Sequence, residues 1–154
     1  MLVRDKEYRV VIQPAYKFFG STQVNAYGSL VNMAEPEKTI LDSLERPIYA
    51  GDIPEVAGML QRGKSSLDWP KLVDYAIRLK SRALLQRLGY LSDLLRIPLD
   101  SDLRRRLLVE ASGDSKCYLG QTRRWNTGGV YNATWRVVDN LPQRELLAEI
   151  EAHS

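Results

Sequence analysis

Histidine is the commonest general base and metal ligand near neutral pH, and this sequence of 154 residues holds one, His153, beside the C-terminus. Chain ends order poorly, so a Ser–His–Asp or Cys–His arrangement built on His153 is not expected. The lone cysteine, Cys117, has no second thiol to bridge with. Zinc sites need several Cys or His ligands, and one of each far apart does not supply them. Lys116 beside Cys117 could lower the thiol pKa, but a small apolar side chain in a strand is the simpler reading. No Walker A loop, no G-x-S-x-G and no G-x-G-x-x-G after a strand occurs, and Gly128-Gly129 reads as a turn rather than a phosphate cradle. No cofactor and no metal are expected.

Carboxylates are the remaining route to catalysis. Glu35, Glu37, Lys38 and Asp42 gather where a strand runs into a helix. A metal-dependent nuclease needs acidic ligands and a lysine around a cation and a water. The nuclease spacing E-x-K is not met, because Pro36 and Glu37 separate Glu35 from Lys38. The preferred reading is a helix start: two acids favour the positive end of the helix dipole, and Lys38 pairs with Asp42 one turn on.

The arginines suggest binding. Arg104-Arg105-Arg106 is one run, and Arg123-Arg124-Trp125 is another with an aromatic beside it. Arginine next to an aromatic grips phosphates and stacks on bases, and the same pair is enriched at protein–protein hot spots. Solvated charge plus a buried tryptophan is the plain alternative, and for Arg104–Arg106 it leads slightly. The net charge of +3 is too small to imply nucleic acid, but its distribution is uneven. Residues 60–110 carry 11 basic and 6 acidic groups, and residues 115–136 carry 4 basic groups and no acid. Those segments could present a basic surface to an acidic partner.

The elements that must position these residues are legible in outline. The first third reads as short strands: Tyr8–Ile12 closed by Pro14, Tyr16–Phe19, Gln23–Ala26 and Gly28–Met33, with Tyr27-Gly28 as a turn. Helices follow. Pro36–Leu44 begins at a first-turn proline and ends at Arg46-Pro47. Asp52 and Glu55 have capping-box spacing and open Ile53–Gln61, closed by Gly63. Asp68 caps a helix to about Leu79. Leu84, Leu88, Leu91 and Leu95 make the buried stripe of a helix over Ser81–Leu95. Asp100 or Ser101 starts a helix through Leu107 or Leu108. β character returns at Cys117–Leu119 and Gly129–Val138, where Tyr131, Trp135 and Val137 should share a face. Asn140 then caps a helix over Pro142–Ala152. The expected fold class is α+β, a single domain over 1–154, with short antiparallel strands at both ends of a central group of helices.

One unpaired cysteine, a charged N-terminal stretch in place of a secretory signal, and no apolar run near 20 residues point to a cytoplasmic protein without a membrane span.

Several phrases resemble one family. Phe18-Phe19-Gly20, then VNMAEPEKTILD over Val31–Asp42, then RPIYAG over Arg46–Gly51, and LLQRLGYL over Leu84–Leu91 are similar to the AbiEi-type family. Trp135–Asn140 (WRVVDN) resembles the strand that closes its C-terminal domain. The resemblance covers about residues 8–98 and implies a transcriptional regulator, the antitoxin of type IV toxin–antitoxin and abortive-infection systems used in phage defence. It implies a C-terminal antitoxin domain that neutralises a cognate nucleotidyltransferase toxin by contact. Members bind DNA through an N-terminal winged helix-turn-helix. With only seven residues before Tyr8, that module is not expected in this chain, and DNA binding is not carried over to it. Glu37, Lys38 and Asp42 fall on the first motif and Arg87, Gly89 and Tyr90 on the second. Gly89 could let another element pack closely, and Tyr90 offers an apolar ring with a polar tip. The alternatives left open are a carboxylate-dependent nuclease-like domain and a non-enzymatic nucleic-acid binder using the arginine groups.

Overall fold

Proline, glycine and acidic residues decide where each element starts. A computed structural model describes residues 2–3, 6–7 and 10–152. Strands β1 (Leu2–Val3) and β2 (Lys6–Glu7) form a minimal antiparallel pair. β3 (Ser21–Ala26) and β4 (Ser29–Ala34) form a hairpin in register Ser21↔Ala34 to Ala26↔Ser29. Its two-residue turn is Tyr27-Gly28 as expected, both at positive φ (53° and 83°), the geometry whose twist matches paired strands. The Asn25 side chain accepts from the Gly28 N–H at 3.0 Å and steadies the turn.

Two of the expected strands are absent. Tyr8 and Arg9 lie outside the described residues, and Val10–Ile12 carries no strand. Val10 and Ile12 are 79% and 88% exposed, and only Val11 between them is partly covered, so this β-branched run has no strand partner among the described residues. Tyr16–Phe19 is not a strand either: Ala15–Lys17 is a 3₁₀ turn launched from Pro14, whose fixed φ of −66° suits a turn entry.

The helical centre follows the reading closely. α1 is Pro36–Glu45, α2 Ile53–Gly63, α3 Trp69–Arg78, α4 Arg82–Leu94 and α5 Ser101–Ala111. Asp68, Ser81 and Asp100 accept from the backbone N–H three residues on, as caps should. Asp52 departs from the expected box: it accepts from its immediate neighbour, Ile53 N–H, at 2.8 Å. α5 outruns its expected end, and its last residue, Ala111, is buried. The stripe Leu84, Leu88, Leu91 and Leu95 is buried and joins Leu41, Leu44, Ile53, Leu60, Leu72 and Leu107 in one core. Burying each such side chain stabilises by about 1.5–3 kcal/mol, which makes this core the main support of the fold.

The second sheet lies after the helices. β5 (Cys117–Tyr118), β6 (Val130–Asn132) and β7 (Val137–Asp139) are ordered β5-β7-β6, parallel on one side and antiparallel on the other. A four-residue helix α6 (Thr122–Trp125), absent from the sequence reading, precedes β6, and α7 (Gln143–Glu151) ends the described chain. The strand expected over 129–138 is broken into two by a turn at Ala133–Arg136, with Arg136 at φ 55° and the Trp135 N–H donating to the Asn132 side chain. Trp135 therefore sits in the turn, almost fully buried, while Tyr131 is exposed; the two do not share a face. Asn140 is not the cap of α7. Its side chain is buried and bridges Gly120 and the Asn126 carbonyl. The result is an α+β fold, with α1 to α5 following the β3–β4 hairpin and preceding the three-stranded sheet, and the minimal β1–β2 pair ahead of both. Among the described residues no helix is long and apolar enough to cross a membrane.

Candidate functional site

The acidic motif at the start of α1 is a fastener. Glu37 is 4% exposed, and its Oε1 accepts the Asp68 N–H at the start of α3 at 3.0 Å. Its Oε2 lies 3.0 Å from Lys71 Nζ; the contact is ionic, without the alignment of a hydrogen bond. Burial pushes the Glu37 carboxyl up, but the Asp68 amide and Lys71 outweigh it and hold the group below its ordinary value of 4.5. Lys71 is raised by the same contact. Glu35 accepts from the Tyr75 hydroxyl at 2.9 Å, which pushes that hydroxyl's pKa up. Lys38, also buried, pairs with Asp42 at 2.6 Å, the expected one-turn pair. The Phe19 ring, entering the hairpin, meets Tyr75 edge-on at 5.0 Å and lies under the Arg78 guanidinium at 4.0 Å. Glu35 and Glu37 thus bind the start of α1 to α3, while Asp42 pairs within α1. Among the described residues no group of three or more His, Cys, Asp or Glu is placed to hold a metal ion, and His153 lies outside them.

The arginine run on α5 is likewise committed. Arg104 pairs with Asp93 at 2.8 Å and lies over the Trp135 ring, Arg105 pairs with Asp102, and Arg106 reaches Asp74 on α3. The run is a row of ion pairs on a partly exposed face, nearer to the solvated-charge alternative than to a binding stripe.

The second arginine run divides. Arg124 and Trp125 fold back on Asp52: the Trp125 indole N–H donates to Asp52 Oδ2 at 2.8 Å, and Arg124 lies 3.3 Å from the same oxygen and over the indole ring. Asp52 is 2% exposed and sits at φ 80°, a conformation costly for a non-glycine residue. Two donors, Ile53 N–H and the Trp125 indole, and the Arg124 ion pair hold it there and tie α6 to the start of α2.

Arg123 and Arg87 are the two that meet. With Tyr118, Gly120, Gln121 and Thr122 they line an open cavity of about 430 Å³. Arg87 projects from α4, half-buried, and its Nε–H donates to the Tyr118 carbonyl at 3.0 Å. It forms no ion pair, and Arg123 makes neither an ion pair nor a side-chain hydrogen bond among the described residues. Burial pulls the Arg87 guanidinium below its ordinary value, only partly offset by Cys117 and Asp52. A second hollow of about 240 Å³ shares Arg87 and Gln121 and is walled by Arg46, Pro47, Ile48, Tyr49 and Leu119.

The rest of the LLQRLGYL motif locks the wall. A Cβ on Gly89 would stand 2.2 Å from the Trp135 ring, so glycine is required for that ring to lie on α4. Trp135 Nε1–H donates to Asp93 at 2.7 Å. Tyr90 donates to Asp139 on β7 at 2.7 Å, its own pKa raised by burial and that bond. Burial pushes the Cys117 thiol's pKa up, only partly offset by Arg87, in line with the preferred reading of a small apolar side chain in a strand rather than a thiol activated by Lys116.

The sequence named Arg87 and Arg123 but had no means of joining them. Tyr118 and Gln121 went unnoticed as site residues, Arg46 was read only as a helix end within the RPIYAG phrase and Asp52 only as a cap, because nothing local in the sequence marks a cavity wall. Comparison of the chain with protein-family models, with curated proteins and with solved structures gives no match.

Proposed function

We propose that this chain is a non-catalytic contact domain, an AbiEi-like antitoxin or regulatory domain that neutralises a cognate nucleotidyltransferase toxin in the cytoplasm by binding it. The observation that carries the reading is the state of the acidic motif. Glu35, Glu37 and Asp42, the carboxylates a hydrolytic mechanism would recruit, are held by Tyr75, Lys71, the Asp68 amide and Lys38. Freeing them for a cation would undo the α1–α3 junction. The phrases that resemble the family serve two internal locks, PEKTILD at that junction and RLGYL against Trp135. A domain whose motifs build its frame acts through its surface.

Co-expression with the adjacent nucleotidyltransferase gene tests this. The expected result is restored growth and a complex that co-elutes in size-exclusion chromatography. Growth arrest with no complex, from a protein that circular dichroism finds folded, overturns it. Incubation with DNA and RNA plus magnesium or manganese should leave both intact. Cleavage that disappears in Glu37→Gln would establish the nuclease reading instead.

A further inference from the structure

We propose that Arg87 and Arg123 form a phosphate-binding site, and that its ligand is a phosphate monoester of nucleotide size whose organic part lies in the adjoining hollow walled by Ile48 and Tyr49. This goes beyond contact with a toxin.

An arginine cannot lose its proton in a protein, so a half-buried guanidinium must find a counter-charge or suffer desolvation. Every other arginine of the two runs except Arg123 has a carboxylate within 3.3 Å. Arg87 has one backbone carbonyl. That bond uses Nε and fixes the plane of the guanidinium, leaving the two terminal nitrogens of the fork unpaired beside the cavity. A planar fork held by its own Nε suits two oxygens of one phosphate.

The surroundings agree. The cavity has no acidic residue in its lining, and none occurs anywhere in residues 115–136, so nothing competes with an incoming anion. Asp52, the nearest carboxylate to be felt, is already shared by Ile53 N–H, Trp125 and Arg124. Glu45, which borders the second hollow, is paired with Lys17. Arg123 adds a second cation, while Thr122 and Gln121 add a hydroxyl and an amide.

Size distinguishes the ligand. A cavity of about 430 Å³ falls in the range of small-molecule sites and is too roomy for one carboxylate of a partner protein. The second hollow opens from the same Arg87 and Gln121, with Ile48 56% exposed beside Tyr49. An exposed isoleucine and tyrosine beside a phosphate site form a surface on which a base or another flat ring can rest.

The test is a titration of the ¹⁵N-labelled full chain with sodium phosphate, AMP, adenosine and sodium acetate, followed by amide shifts. Phosphate and AMP should move the Tyr118–Arg123 amides saturably, with AMP about tenfold tighter because of the second hollow. Adenosine alone and acetate should move them little. Equal affinity for phosphate and AMP would overturn the assignment of the second hollow. No saturation by either at about 10 mM would overturn the site. Arg87→Gln should weaken AMP binding at least about tenfold, since a charge-assisted bidentate contact is lost. Arg123→Gln, an exposed change that leaves folding intact, should also weaken it. If both variants bind AMP as the parent does, the site is elsewhere and the proposal fails. Toxin neutralisation by Arg87→Gln is scored separately; rescue without nucleotide binding would remove this proposal and leave the contact reading standing.

Discussion

Two regions of this molecule handle partly or fully buried charge in opposite ways. At the α1–α3 junction, Glu37 is inaccessible and meets an amide and a lysine, while Lys38 meets Asp42. Between α4 and the three-stranded sheet, Arg87 is half-buried, donates to the Tyr118 carbonyl and makes no ion pair among the described residues. The first arrangement is complete, and removing any part leaves a buried charge exposed to a poor environment. The second lacks a counter-charge, so removing it relieves a cost. A paired buried charge is therefore a fastener, and an unpaired one beside a cavity is a candidate for a ligand. Apolar packing, not charge, must then hold the second region together.

That last point gives the largest expected effect. Trp135 is 1% exposed, covers Gly89 and joins the turn before β7 to α4. Trp135→Ala should destabilise by about 3–5 kcal/mol, measured by urea unfolding. Gly89→Ala should fall in the range of overpacking, about 1–3 kcal/mol or more, because the ring has no free direction. If Trp135→Ala costs less than 1 kcal/mol, the second region is held by something else and the comparison loses its basis.

The direct contrast comes next. Glu37→Ala strands the Asp68 N–H and leaves Lys71 with Glu35 alone, and should cost about 1–3 kcal/mol. Arg87→Gln, by the same measurement, should be neutral or stabilising, because it removes an uncompensated charge. Equal losses in the two variants would erase the distinction between fastener and ligand site.

Glu37 also carries a pH signature. Its folded pKa is lower than its unfolded value, so its ionisation stabilises the fold above the unfolded value and that stabilisation is lost as pH falls through the folded one. The stability gap between the parent and Glu37→Gln should be full at about pH 6 and shrink steadily below 4.5. A gap that widens on acidification would contradict the ionised, lysine-paired carboxylate. Tyr90→Phe is a smaller change. It removes one hydrogen bond to Asp139, which still accepts from Leu141 N–H and Gln143, and should cost about 1 kcal/mol.

These regions also differ in how far the sequence disclosed them. The helical centre was legible because Leu84, Leu88, Leu91 and Leu95 repeat at helical spacing and because Asp68, Ser81 and Asp100 are local caps. The Lys38–Asp42 pair was legible for the same reason: it spans one turn. The strand expected across 129–138 was broken by Trp135, whose partner Gly89 lies on another element, so tertiary packing overrode alternation. Val10 and Ile12 carried strand composition with no surface to cover. The cavity was not legible, since Arg87 and Arg123 converge only after α4 and β5 are packed. The arginine run on α5 was legible as charge, but its partners Asp93 and Asp74 lie on other helices and were not.

The smallest effect belongs to that run, and it marks the lower end of the comparison. Arg106 and Asp74 are about half-exposed, so their attraction is screened by water and opposed by side-chain entropy. Arg106→Ala should change stability by less than about 0.5 kcal/mol, a shift in Tm of about 1 °C for a chain of this size. The same variant should bind AMP as the parent does, because Arg106 lies on α5 with its charge already met, away from the cavity that Arg87 and Arg123 line. A loss of stability rivalling that of Glu37→Ala would mean that half-exposed ion pairs fasten this fold as firmly as buried ones. Burial, rather than pairing alone, would then cease to separate the two regions.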